Sequence, residues 1–289
     1  MSEPPAGPLV VSTPQGMIHG WRFDGAGPPA VLLHGGPCLT ARYLDPLVPL
    51  LTGVLAPVLY QQRGLPPTTI AEPFTVEANV ADAEAVIDQA AGGRAWIVGH
   101  SWGGYLALHV LVSCPERIAG AIVVDPLGAH AQVLGEFEER MLAPMTEAQR
   151  DRVAEIEAKE AAGTATTQES KESLSLYWPS YFADPANAPP VPDLDLSSAG
   201  FMATMESVKQ HEEAETLVRG LPGVPAEIPV LFVHGAESAM PVRASTSPAE
   251  LLSNAAVDII PGAGHFIWSE RPAELRDAIS AFVRRAGRR

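Results

Sequence analysis

Residues 99–104 read Gly99-His100-Ser101-Trp102-Gly103-Gly104 and follow directly on the apolar run Ala95-Trp96-Ile97-Val98. Leu106, Leu108, Val110 and Leu111 come next, with the apolar pattern of a buried helix. In that context a Gly-x-Ser-x-Gly turn leaves a buried strand, enters a helix and lifts the serine hydroxyl clear of the sheet. Strand and helix cross there with no room for a Cβ, so the flanking positions are glycine. The bare pattern is common by chance. Its strand and helix neighbours give it weight here, and they point to Ser101 as a nucleophile.

The rest of the chain repeats the strand–helix rhythm. Segments 9–12 and 16–23 read as strands joined through the turn Thr13-Pro14-Gln15-Gly16. Continuous apolar runs at Ala30–Leu33, Val54–Tyr60, Ala121–Val124, Ile228–Val233 and Val257–Ile260 read as parallel strands covered on both faces. Between them, Val76 to Ala91 has helical spacing with Val80, Val86 and Ile87 inward, and Pro272 to Arg284 reads as a terminal helix. The expected class is α/β, a mostly parallel sheet flanked by helices.

Residues 126–226 break the rhythm. Thr146-Glu147-Ala148-Gln149 and Thr166-Thr167-Gln168-Glu169 are capping boxes that open helices, ended near Gly163 and Pro179. A proline-rich loop spans Pro185 to Pro192, and Ser198 to Arg219 is a third helical stretch. The expected organisation is a core of residues 1–125 and 227–289, with 126–226 as a helical lid inserted between two late strands over the carboxyl edge of the sheet.

Composition excludes several partners. The net charge is −15, and four of the 19 basic residues fall in the last six positions. So acidic a body argues against nucleic acid or an anionic membrane surface. No run approaches the about 18 apolar residues of a membrane span. The start lacks the basic and apolar regions of a signal peptide. Two cysteines, Cys38 and Cys114, give neither a disulfide framework nor a zinc spacing, so a cytoplasmic location and no metal are expected. Nothing fixes the oligomeric state.

The chemistry gathers at strand ends. His34-Gly35-Gly36-Pro37 follows strand 30–33, and its glycines let backbone approach a substrate. The N–H groups of Gly36 and Trp102 are the expected oxyanion donors. Of eight histidines, His265 lies late in the chain on the glycine loop Pro261-Gly262-Ala263-Gly264, which fits a general base. His34 and His100 are read as shaping backbone. The acid has two strand-end candidates: Asp125, preferred, and Glu237 as the alternative. Arg63, in Gln61-Gln62-Arg63-Gly64, is read as a structural tie between loops. In the lid, Tyr177, Trp178, Tyr181, Phe201 and Met205 are the expected lining of an apolar substrate pocket, with packing against the core as the alternative.

Taken together, these motifs resemble the α/β-hydrolase superfamily. His34-Gly35-Gly36-Pro37, Gln61-Gln62-Arg63-Gly64 and Gly99-His100-Ser101-Trp102-Gly103-Gly104 look most like its proline iminopeptidase branch. That branch usually carries His-Gly-Gly-Pro-Gly, Asp-Gln-Arg-Gly and an acid in a Gly-x-x-Asp loop. Here Cys38, Gln61 and Ser238 stand at the departing positions. Other superfamily members carry the acid after the strand that follows the nucleophile helix, and Asp125 matches that position. Members with dehalogenase or epoxide hydrolase activity use an aspartate nucleophile, so Ser101 speaks against both.

The expected activity is that of a cofactor-independent serine hydrolase on a small apolar ester, thioester or lactone, working through an acyl-enzyme. An iminopeptidase on the same triad is the first alternative; it needs lid carboxylates, and only Glu212 lies near the apolar face of the third lid helix. A low-turnover small-molecule receptor with the same fold is the second.

Overall fold

Eight strands form one sheet in the order β1-β2-β4-β3-β5-β6-β7-β8. The computed structural model describes residues 5–130 and 132–288. The strands are β1 (Gly7–Thr13), β2 (Gly16–Arg22), β3 (Pro29–Leu33), β4 (Ala56–Tyr60), β5 (Ala95–His100), β6 (Ile118–Val124), β7 (Val230–Gly235) and β8 (Ala255–Ile260). Only β2 runs against its neighbours; every pair from β4 through β8 is parallel.

The continuous apolar runs make sense because both sheet faces are covered. On one face Val31, Leu33, Val58, Ile97, Val123 and Phe232 pack in a single core. It is closed by α2 (Val76–Ala90) and α3 (Trp102–Ser113), after the short helix α1 (Val48–Leu51). On the other face Leu32, Leu59, Val98, Ile122 and Val233 pack with Val48 and Leu51 of α1. The edge strand β8 differs from its expected burial: as the last strand of the sheet it pairs on one side only, and Val257 and Ile259 are exposed.

Between β6 and β7 the described residues form helices but no strand of the sheet. They are α4 (Gln132–Leu142), α5 (Glu147–Ala161), α6 (Thr167–Tyr177), α7 (Ser198–Glu213) and α8 (Thr216–Gly220). Both expected capping boxes form, at Thr146 with Gln149 and at Thr166 with Glu169. The third helical stretch is broken where Glu215 takes a left-handed φ of 53°. After β7 come α9 (Arg243–Glu250), α10 (Ile267–Glu270) and α11 (Pro272–Ala286), whose Leu275, Ile279 and Phe282 complete the second core. Among the described residues no helix is long and apolar enough to cross a membrane.

The helical insertion is tied to the loop after β3. Leu39 bridges Leu196, Thr40 N–H donates to Asp195 C=O at 3.0 Å, and Ser197 N–H donates to Cys38 C=O at 3.0 Å. The insertion therefore borders the carboxyl end of the sheet, where the strand-end residues collect.

Candidate active site

Ser101 sits between β5 and α3 with φ 57° and ψ −122°, a region a residue with a Cβ rarely enters. Such strain costs on the order of 1–3 kcal/mol and persists only where the surroundings hold it. They do so here. Its N–H donates to Val124 C=O at 3.0 Å, and its C=O accepts from Gly104 and Tyr105 at 2.9 and 3.1 Å. A Cβ on Gly99 would stand 2.1 Å from Gly103 O, and one on Gly103 would stand 1.9 Å from Leu33 O. The crossing of strand and helix is as close as the sequence demands.

His265 lies on the loop between β8 and α10, buried, with Nδ1 hydrogen-bonded to Asp125 Oδ2. A carboxylate only accepts, so Nδ1 carries the hydrogen, and in the neutral tautomer this leaves the lone pair on Nε2. Asp125 is fully buried at the end of β6 and also takes a left-handed φ, of 44°. Its Oδ1 accepts from Gly235 N–H at 3.2 Å, and its Oδ2 accepts from the Ser238 hydroxyl at 2.6 Å. His234 Nδ1 lies 3.0 Å from Oδ1. Glu237, the alternative acid, is exposed, and its Oε2 accepts from the N–H groups of Gly262 and Ala263 at 2.7 and 3.2 Å. It braces the histidine loop from outside. Asp125 is the carboxylate that meets the ring.

The loop after β3 offers N–H groups selectively. Gly35 N–H is already committed to the Tyr43 hydroxyl. Gly36, at φ 54°, and Trp102, the first residue of α3, have no protein hydrogen-bond partner for their N–H among the described residues. Gln62 joins the two segments that carry them. Its Nε2 donates to His34 C=O at 2.9 Å, and its Oε1 accepts from the Trp102 indole at 2.8 Å. His34 takes Gln62 N–H on Nε2 at 3.1 Å, and burial lowers its pKa to about 4, so the ring is neutral. Arg63 is spent structurally: it grips Asp82 through two bonds of 2.8 Å and also donates to Pro73 and Ala78 carbonyls.

Aromatic rings wall His265. Tyr181 stacks on His265 at 5.3 Å and Phe137 of α4 lies 6.3 Å away. Trp178 packs on Phe266 at 5.0 Å. The other three expected lining residues are elsewhere. Tyr177 donates to Glu157 of α5 at 2.7 Å, Met205 packs against the first core, and Phe201 stands 41% exposed on the first turn of α7. Sequence reading missed Phe137 and Tyr43, which nothing in local pattern marks, and it noted Ser238 only as a departure from the family pattern, not as a donor to Asp125.

The carboxylates of α7 make no hydrogen bond to Ser101 among the described residues. Glu206 and Glu213 are exposed, as is Glu215 just beyond the helix. Glu212 is buried, with Oε1 unpartnered among the described residues, and its charge acts on Tyr105 of α3. Burial lifts its pKa to about 7. Two surface cavities, one against Arg22 and Ala90 and one against Met145 and Gln149, are lined by none of Ser101, Asp125 and His265. Among the described residues no group of three His, Cys, Asp or Glu side chains forms a metal site.

The profile of the alpha/beta hydrolase family matches residues 30–278, most of the chain. The chain belongs to that family. The chain is 38% identical over 56 residues to lipase LipV of Mycobacterium tuberculosis, covering 19% of this chain and 22% of the lipase. It is 29% identical over 150 residues to the proline iminopeptidase of Neisseria gonorrhoeae, covering 45% of this chain and 46% of that protein. These matches therefore span less than half the length of either relative. The crystal structure of VinJ superposes with a TM-score of 0.74 at 19% identity, over 98% of this chain and 100% of that one. That likeness speaks for the shared fold.

Proposed function

We propose that the hydrolase cleaves a small apolar ester, thioester or lactone through an acyl-enzyme on Ser101. The observation that carries the reading is the Asp125–His265 hydrogen bond, together with the His265 carbonyl held 3.0 Å from the ring of His100, the residue that precedes a serine at positive φ. His265 Nε2 takes the proton from the Ser101 hydroxyl as Oγ attacks the carbonyl carbon. The proton then passes to the leaving alcohol or thiol as the tetrahedral intermediate collapses. Asp125 holds the reactive tautomer and stabilises the imidazolium. The N–H groups of Gly36 and Trp102 receive the developing oxyanion, and water attacks the acyl carbon in the second half. No cofactor enters these steps.

An ester-type substrate is favoured over a peptide with a free amine. Amine capture needs a carboxylate beside the serine; Glu206 and Glu213 of α7 are exposed, and the charge of buried Glu212 acts on Tyr105. The walls at His265 are aromatic, which suits an apolar acyl or leaving group. The proposed compartment is the cytoplasm, where two free buried cysteines stay reduced.

The test is fluorophosphonate labelling of wild type and Ser101→Ala, followed by turnover of a panel of esters, thioesters, lactones and proline amides. Labelling confined to the wild type, with ester turnover well above amide turnover, is the expected result. Faster proline amide cleavage transfers the site to the iminopeptidase reading. A wild type that neither labels nor turns over is a receptor with a hydrolase fold.

A further inference from the structure

His100, which precedes the nucleophile, is 2% exposed and bonded at both ring nitrogens. Nε2 lies 3.0 Å from His265 C=O, an acceptor only, so Nε2 carries the hydrogen. Burial, followed by the proximity of His265, holds the ring well below the usual imidazole range, so it is neutral and Nδ1 is an acceptor. The Tyr43 hydroxyl lies 2.8 Å from Nδ1 and donates to it. Burial keeps that phenol protonated. Its oxygen in turn accepts Gly35 N–H. Each proton in this chain has one place to be.

The chain ends on both halves of the reaction site. At one end it fixes the Gly35 N–H; the Gly35 C=O is held on its other side by His34 Nδ1 at 3.0 Å. Gly35 is thus pinned on both peptide planes, and the second plane contains the Gly36 N–H. At the other end the chain holds the main chain of His265 itself. Phe266 and Trp268 pack on the His100 ring at 5.6 and 4.6 Å and keep water from competing.

We propose that Tyr43 and His100 form a hydrogen-bonded relay that sets the oxyanion loop and the base loop at a fixed separation around Ser101. Both are positioning residues, and the inference rests on the serine hydrolase reading. The relay acts on the transition state more than on substrate binding, because it fixes the donors that meet the oxyanion and the base that moves the proton.

Fluorophosphonate labelling of wild-type Ser101 is measured first; its absence overturns the serine reading and the relay with it. In a labelled wild type, Tyr43→Phe is expected to lower kcat about 10- to 100-fold, the loss of a hydrogen bond that leaves buried partners unpaired. KM should stay within about twofold, and affinity for a boronic acid that mimics the tetrahedral adduct should fall with kcat. His100→Leu should lose as much, and His100→Gln, whose amide can both accept and donate, should recover most of it. Wild-type kcat and boronic acid affinity in Tyr43→Phe overturn the relay alone. So does a loss confined to KM, or a His100→Gln no better than His100→Leu. If Tyr43→Phe does not fold, as judged by circular dichroism, the comparison of the two His100 variants decides.

Discussion

Ser238 donates its hydroxyl to Oδ2 of Asp125, the same oxygen that meets His265. In the iminopeptidase pattern the acid is expected in the loop after β7, where Ser238 now stands. Here the carboxylate comes from the end of β6 instead. The exchange is geometrically short because β6 and β7 are paired neighbours, with Val124 opposite Val233. Asp125 N–H continues that pairing, donating to Val233 C=O at 2.9 Å. One position beside the histidine can thus be reached from two strands, and Ser238 on the second strand's loop donates to the carboxylate that reaches it from the first.

Ser238→Ala removes a hydrogen bond to a charged group, worth roughly 1.5–3 kcal/mol. If that bond orients the carboxylate, kcat falls about tenfold with little change in KM. Steady-state kinetics on the best ester of the panel checks it. A kcat equal to wild type would mean that Gly235 N–H and His234, both at Oδ1, hold Asp125 without the serine.

Asp125→Asn should lower kcat by about 10³- to 10⁴-fold, because an amide facing Nδ1 selects the wrong imidazole tautomer. Glu237→Gln should cost less than about threefold, since an amide oxygen can still accept from Gly262 or Ala263. The reverse ranking would move the acid to Glu237. The double variant Asp125→Ser with Ser238→Asp returns the acid to the β7 loop. It is expected to exceed Asp125→Ser alone by about tenfold or more in kcat, short of wild type.

Strands β3 to β7 were legible because each is buried on both faces over nearly its whole length and reads as an apolar run. Strands β1 and β2 were legible through the turn between them, and β8 deceived by exposing half of its own. Helices α5 and α6 announced themselves through capping boxes. Helix α4 did not: it buries only Val133 and Met141, too little for a clear stripe. Helix α9 carries Pro248 in its interior, which reads as a loop. The break at Glu215 uses a left-handed residue that is neither glycine nor asparagine, so it gave no warning. At the site, Ser101 and His265 were marked by glycine-flanked turns. Asp125 was one of two strand-end choices, and only the fold could say which carboxylate reaches the ring. The Tyr43–His100 bond joins residues 57 apart and has no local signature.

Arg63→Leu is expected to destabilise the fold by about 3–5 kcal/mol, because it leaves the Asp82 carboxylate buried without its partner. The Arg63 side chain also ties Gln15, Pro73 and Ala78, so the loss extends to the segment leading into α2. Replacing both partners, Arg63→Leu with Asp82→Leu, should recover part of the loss by removing the orphaned charge. Urea unfolding of the two variants and wild type at one pH makes the comparison. A single variant as stable as wild type would show that Asp82 finds water or another donor.

Glu212 gives stability a pH dependence of a sign opposite to that of most carboxylates. Burial between α7 and α3 raises its pKa to about 7 in the folded chain, against 4.5 for an ordinary glutamate. Burial is the cause that acts on it; nearby Tyr105 is protonated, and burial lowers His109 to about 3. His211, the preceding residue, is engaged by Glu77 of α2 at 2.8 Å. Between these two pKa values the folded chain keeps a proton that the unfolded chain has released. Stability contributed by this group is therefore full below about pH 4.5, falls as pH rises toward 7, and is lost above it. The span is on the order of 2–3 kcal/mol. Glu212→Gln should be more stable than wild type at pH 8, by several degrees in Tm, with little difference at pH 4.5. Thermal melts of both proteins across that range test it; a variant that melts lower than wild type at pH 8 would show that the charged carboxylate has found a partner in the folded state.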